Sequence, residues 1–372
     1  MKKNHCASII ILSAALCAPL FSQVRPQKPS SLTDDIRLLR SARVAYRNGG
    51  YGTALRYAEE AKTARKTLIA WETYTLQNSL RPLEVRRAND ALPDVLAVLQ
   101  TREDYDAIEI INKYVRQKTA SFFNNSAAEV VAYVAKRNAY PEADWLVGSV
   151  YVLEGEYALA KQYLLNAWSN AYLLDVSDEQ YDILYDLANI AYIENDFDNY
   201  EKNLLLVLSD DSFFKNKNFN DALMLTIRNK SAGSMEKFFT LFRSDDYKSL
   251  PAYFKLSEYY GRAGENEKAL KANALGVLTG FTKMYNAVKA RNPEFEYADL
   301  SAFLRETAAY GDIVDWAEQN RVWQGFCDFA VKVRGDGNSV FANDIYASLA
   351  ASVPDSFWKN YAQRALAEQN AP

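Results

Sequence analysis

An all-α fold of paired helices is what this sequence predicts, on three observations. From Asp34 onward, apolar residues recur at the three-and-four spacing that gathers them on one face of a helix. β-Branched runs that would mark strands are broken throughout by Ala, Lys, Glu and Asn. Gly, Asn and Asp cut the pattern into segments of roughly 10–15 residues, an ordinary helix length. Composition agrees: 372 residues, 49% hydrophobic and 24% charged, with 14 Gly and 10 Pro, describe a globular chain long enough to bury a real core.

The first element is a leader, residues 1–22. Lys2 and Lys3 precede an uncharged apolar run from Ala7 to Phe21, and Ser22-Gln23 returns to polar sequence. A basic head, a short apolar run and a small-residue exit describe a secretory signal peptide. The run is shorter than the ~20 residues a membrane span needs. Cleavage is expected after Ser22, with Ala18 as the alternative; a lipid on Cys17 would want a small residue where Leu16 stands. Residues 23–33, with two prolines and two serines, read as a linker. Residues 34–283 read as helical repeats and 284–372 as a carboxy-terminal helical region.

Removal of the leader has chemical consequences. His5 is the only histidine, so the mature chain would contain none. That excludes Ser-His-Asp and Cys-His nucleophiles, histidine acid–base work and histidine-ligated metals. Cys6 and Cys17 would leave with it, and the remaining Cys327, in the aromatic stretch Trp323 to Phe329, reads as a buried, inert thiol. The mature chain carries 41 Lys and Arg against 47 Asp and Glu, a net of −6. The balance is uneven: residues 24–90 carry +6 and residues 174–213 carry −10. Such asymmetry steers partners, while export and net acidity argue against nucleic acid.

The turns then repeat. Gly49-Gly50-Tyr51, Glu103-Asp104-Tyr105, Gly155-Glu156-Tyr157, Asn195-Asp196-Phe197 and Gly264-Glu265-Asn266 can be superposed. Three residues after each comes Ala54, Ile108, Ala160, Tyr200 or Ala269, and ten after comes Ala61, Val115, Ala167, Val207 or Gly276. The helix before the turn carries a small side chain at Ala42, Gly148, Ala188 and Ser257. The fullest copy runs from Trp145 through Gly148 and Tyr151 to Gly155, Tyr157, Ala160 and Ala167. Copies span 35–68, 89–122, 141–174, 181–214 and 250–283, with a weaker helix pair at 215–248. Within 284–372 the longest helical run is Asp312 to Val333, with no clear repeat.

This pattern resembles the tetratricopeptide repeat, a helix-turn-helix unit of about 34 residues. It lacks that family's terminal proline throughout. The resemblance implies a right-handed α-solenoid, here closed by a carboxy-terminal helical cap. Gly148 against Ala160 would allow close approach within a pair, Gly155 would take the left-handed conformation that ends the first helix, and Ala167 would admit the next pair. The resemblance also implies a concave groove lined by the first helix of each pair. On this register that face carries Arg43, Tyr46 and Arg47; Trp145, Ser149 and Val152; Asp182, Tyr185, Asn189 and Tyr192; and Phe254, Glu258 and Arg262. Trp145, Tyr185, Asn189 and Tyr192 are expected to line one pocket, made negative by Asp182.

No phosphate-cradling glycine loop, Gly-x-Ser-x-Gly elbow or Cys-x-x-Cys pair is found. Arg334-Gly335-Asp336-Gly337-Asn338 reads as a turn closing a long helix, not an adhesion or cation site. The expectation is therefore a non-enzymatic adaptor of the bacterial periplasm, binding another envelope protein or peptide and using no metal or cofactor. A module partnered with a transporter is the alternative among binding proteins. A peptidoglycan-cleaving hydrolase, drawing on carboxylates such as Glu258 and Glu306, is the alternative of another class.

Overall fold

A computed structural model of the chain describes residues 25–79, 137–242 and 247–368, together with 96, 97, 99, 100, 105, 108, 109, 112, 131, 132 and 134–136. The leader 1–22, and all but a few residues of the expected copy 89–122, lie outside the described residues. Every regular element among the described residues is a helix, as the periodicity predicts. No described helix is long and apolar enough to cross a membrane. The chain divides into two compact units, residues 1–146 and 147–372.

In the first unit, α1 (Asp34–Arg47) and α2 (Tyr51–Ser79) form an antiparallel pair. Asp34 and Asp35 in the first turn of α1 and Arg47 in its last suit the helix dipole. Ala42, Ala54, Ala58 and Ala61 are fully buried, the small seam on which the two helices meet. α2 outruns the repeat that ends at 68 by eleven residues, and Leu68 and Trp71 pack with Leu32 there. This interior also holds charge. Arg65 Nε donates to Asp35 Oδ2 at 2.6 Å, and the guanidinium lies 3.7 Å from the ring centroid of Tyr140.

The other α-helices with both ends among the described residues are α3 (Pro141–Glu154), α4 (Tyr157–Ser169), α5 (Glu179–Ile193), α6 (Phe197–Val207), α7 (Ser212–Lys215), α8 (Lys217–Arg228) and α9 (Ser234–Phe239). They continue as α10 (Leu250–Arg262), α11 (Asn266–Arg291), α12 (Leu300–Thr307), α13 (Gly311–Gln319), α14 (Val322–Gly335), α15 (Ser339–Ser352) and α16 (Ser356–Ala367). The second unit is built on rings. Phe238 is fully buried, stacks on Phe329 at 4.8 Å and meets Phe239 and Phe341 edge-on.

One turn geometry recurs. Gly49, Gly155, Asn195, Gly264 and Gly337 all have φ between 59° and 93°. The amide that follows each reaches back five residues: Gly50 to Ala45, Glu156 to Tyr151, Asp196 to Ala191, Glu265 to Tyr260 and Asn338 to Val333, at 2.8–3.1 Å. That is the Schellman closure, which satisfies a carbonyl the helix end would otherwise leave open. The small residues flanking each turn are buried. A Cβ on Gly148 would lie 2.8 Å from Leu164 Cγ and 3.3 Å from the Ala160 carbonyl, so the close approach there requires glycine. Between α10 and α11 Ser257 Oγ donates to the Ala269 carbonyl at 2.9 Å, across the same seam.

Two expectations need correction. The pattern does not stop at 283: Gly337 closes α14 onto α15 with Ala330 and Ala342 fully buried at the matching positions. Nor is Asp312 to Val333 one helix. It breaks at Asn320 and Arg321 because Arg321 takes the left-handed conformation (φ 56°, ψ 31°), ending α13 and starting α14.

Candidate functional site

A cleft of about 1120 Å³ opens within the second unit. Helical spacing decides which side chains reach it. Lys255, Glu258 and Arg262, three and four apart, share one face of α10, and Gln324, Asp328 and Lys332 share one face of α14. Asn189 and Tyr192 come from α5, Phe197 and Tyr200 from α6, and Asn320 and Arg321 from the break before α14.

Phe254 forms the floor. A Cβ on Gly325 would lie 2.4 Å from its Cζ, and a Cβ on Gly276 would lie 2.7 Å from its Cε1. The ring is therefore wedged between α11 and α14, and both glycines are packing requirements. Along one wall Phe197 stacks on Tyr259 at 6.0 Å and Tyr192 leans on Tyr200 at 5.3 Å. Burial, reinforced by Glu258, pushes the Tyr200 phenol up to about 12, so it stays neutral.

The charges in the cleft are unequally matched. Arg262 donates to the Tyr192 phenol at 2.6 Å and pairs with Glu258. Burial holds the Asp328 carboxyl above its ordinary range, while Lys332 and a hydrogen bond from Gln324 pull it back. Lys255 Nζ donates to Asn189 Oδ1 at 3.1 Å. Burial first, and then Arg321, push the Lys255 ammonium below the usual lysine value, with Glu258 acting against them.

Of the residues read from the sequence as a groove, Asn189, Tyr192, Phe254, Glu258 and Arg262 come together here. Asp182 is exposed on α5 and does not line the cleft. Tyr185 does not line it either. Its hydroxyl donates to the Lys248 carbonyl at 2.6 Å and accepts from Ala252 N–H at 3.1 Å, so it caps the start of α10 instead of facing a partner. Ser149 and Val152 are half-buried on α3, outside the cleft. Arg43, Tyr46, Arg47 and Trp145 belong to the first unit, where Tyr46 packs on Tyr51 at 5.8 Å. Of the four residues expected in one pocket, Asn189 and Tyr192 line this cleft, Tyr185 does not, and Trp145 lies in the first unit.

Lys255, Arg321 and Asp328 were missed. Lys255 sits one position off the stripe of Phe254 and Glu258, and the α14 wall depends on a helix break that periodicity does not reveal. Glu306 does not line the cleft; it accepts from Asn292 at 2.9 Å and Tyr310 at 3.1 Å, so Glu258 and Glu306 are not brought to one site. Cys327 is buried, and burial pushes its thiol up to about 12. Among the described residues no three His, Cys, Asp or Glu side chains gather as metal ligands.

No protein-family pattern matches the chain. It is 31% identical over 360 residues, 95% of either chain, to an uncharacterized protein of Treponema pallidum (strain Nichols). It is 24% identical over 209 residues, 51% of this chain, to an uncharacterized protein of Borreliella burgdorferi (strain ATCC 35210 / DSM 4680 / CIP 102532 / B31), of whose length the match spans 64%.

Proposed function

The chain belongs to the family of the Treponema pallidum protein. We propose that it is an exported, non-enzymatic binding protein of the cell envelope. Its helix pairs stack as a tetratricopeptide-like right-handed solenoid, with the helices after 283 as a cap. The leader 1–22 takes it to the periplasm, where it holds an extended segment of another envelope protein and positions that protein in an assembly. The observation that carries this reading is the cleft, about 1120 Å³, lined by α5 and α10, the first helices of two pairs. Aromatic walls beside amides and charges are what a peptide needs: rings for side-chain area, amides for its backbone.

The test is a photo-crosslinking residue at Phe197, which is 40% exposed at the cleft's aromatic wall. Irradiation of the native envelope should yield one reproducible adduct to a second protein. The control places the same residue at Phe357, which is 64% exposed on α16 and does not line the cleft. An adduct from Phe357 with none from Phe197 would move the binding surface to the carboxy-terminal helices and overturn the reading.

A further inference from the structure

The outer face of α1 is a cationic row. Asp35, Leu39 and Ala42 are buried on the side that meets α2, while Arg37, Arg40, Val44 and Arg47 are exposed. Spacings of three, four and three residues set those four along a single helical face. Residues 25–79 carry ten Lys and Arg against five Asp and Glu. Of the five, Asp35 and Glu72 are buried and the others are engaged: Asp34 with Arg37 at 3.2 Å, Glu59 with Lys62 at 3.1 Å and Glu60 with Arg56 at 3.1 Å. Arg40 and Arg47 meet no carboxylate among the described residues. The row therefore presents net positive charge about an apolar centre, Val44, which is 52% exposed.

Size decides what such a row can hold. From Arg37 to Arg47 it runs about 15 Å, at ~1.5 Å per residue, and it is one helix wide. A stable protein interface takes ~800 Å² from each partner, several times what this strip offers. An anionic bilayer asks for no matching shape. Its surface potential attracts each Lys or Arg near it, and an apolar side chain among them enters the headgroup boundary. Position in the chain points the same way. Only residues 23–33 separate the leader from α1, and that segment is tied to α2: Lys28 Nζ lies 5.3 Å from the Trp71 ring centroid, and Leu32 packs on Leu68 and Trp71. With 1–22 as a leader, α1 is the first helix to emerge beside the membrane, at most ~40 Å from it at the full stretch of the linker.

We propose that the outer face of α1 docks on an anionic phospholipid surface, with Arg40 and Arg47 over lipid phosphates and Val44 between them at the headgroup boundary. The site lies in the first unit and does not involve the cleft. It rests on the proposed export for its setting alone, since lipid binding is a property of the folded chain.

Flotation of the mature protein, residues 23–372, with lipid vesicles tests this. Vesicles of phosphatidylcholine mixed equally with phosphatidylglycerol should carry the protein up the gradient, and vesicles of phosphatidylcholine alone should not. Salt should release it, because the screening length falls from ~10 Å at ~0.1 M to ~3 Å at ~1 M. Arg40→Gln with Arg47→Gln should weaken partition about 25-fold, at roughly fivefold for each basic residue near an anionic surface. Arg40→Lys with Arg47→Lys should bind as the parent does, because a bilayer reads the charge and not the guanidinium fork. Lys217→Gln with Lys230→Gln removes the same charge from exposed positions of the second unit and should change partition little. All these positions are exposed, so thermal melts should match the parent and separate lost binding from lost folding.

Equal flotation with both lipid compositions, or flotation with neither, would overturn the proposal. So would an equal loss from the Lys217 and Lys230 pair, which would assign the effect to overall charge. Sedimentation without lipid covers the other occupant, a second copy of the chain. If the parent sediments as an oligomer that the arginine-to-glutamine pair dissociates, the row faces the acidic stretch 174–213 of another copy and not lipid, which overturns it too. The Phe197 crosslink decides separately whether the cleft holds a partner.

Discussion

The interior that α1 and α2 share with residues 140–144 buries charge, whereas the interior of the second unit buries rings. In the first, Asp35, Arg65, Glu72, Glu142 and Asp144 are all almost fully buried. In the second, Asp211 is the one charged side chain so buried among the described residues, and it is anchored by the Tyr253 hydroxyl at 2.8 Å and the Phe213 amide at 2.9 Å. Apolar burial is non-directional and survives small adjustments of neighbours. A buried ion pair is different, because each charge becomes a liability once its partner goes. One chain thus carries two kinds of interior, and they should fail in different ways.

The largest effects test that contrast directly. Arg65→Met leaves the Asp35 carboxylate, which is 1% exposed, without the donor at 2.6 Å, and should cost about 3–5 kcal/mol. Phe238→Ala, in the ring cluster of the second unit, should cost a similar ~3–5 kcal/mol by leaving a cavity. The difference lies in rescue. Adding Asp35→Leu to Arg65→Met should restore most of the loss in urea denaturation, because it removes a buried carboxylate whose 2.6 Å donor is gone. No neighbouring change should restore Phe238→Ala except one that refills its volume. If the Asp35 and Arg65 changes prove additive, the first unit is held by apolar packing after all.

A smaller effect asks whether the units share anything. The seam of small residues is common to both: Ala42 in the first and Gly148 in the second are buried at matching places before a left-handed turn. Ala42→Leu and Gly148→Leu should each destabilise by about 1–3 kcal/mol through overpacking. Thermal melts of the two variants should shift alike, since the contact is the same in kind. A shift in only one would mean that the helix pairs are built differently despite their common turn.

Much of this was legible in the sequence, and the parts that were not have physical reasons. The all-α class was readable because helical periodicity runs through the chain, and the turns were readable because a left-handed residue after a helix is nearly always Gly or Asn. The turn at Gly337 was legible as the close of a long helix; its place in the repeated pattern was not, although Ala330 and Ala342 stand at the matching spacing. The break at Arg321 was not legible, because arginine is a poor predictor of a left-handed backbone. The half of the cleft that α14 builds went unseen with it. Tyr185 was misplaced for a third reason. Its hydroxyl is taken up by the Lys248 carbonyl, a partner 63 residues away that helical periodicity does not reveal.

Tyr185 also supplies the smallest and most discriminating prediction. α10 opens with Leu250 and Pro251, and Ser249 provides no side-chain cap, so Ala252 N–H is a donor at risk of going unsatisfied. The Tyr185 phenol accepts from it at 3.1 Å while donating to the Lys248 carbonyl at 2.6 Å. Tyr185→Phe keeps the ring and removes both bonds, and should cost about 0.5–2 kcal/mol, as the loss of a side-chain cap does. Asn189→Ala, one helical turn along α5, should change the melting temperature very little, because its partner Lys255 is already held at a disadvantage. The polar contacts of the second unit would then be worth a cap at most, well below the charge pairs of the first. A loss from Tyr185→Phe as large as that from Arg65→Met would erase the contrast between the two interiors. No loss would mean that water replaces the phenol at the start of α10, and that the helix is held by Tyr253 and Leu256 in the core below it.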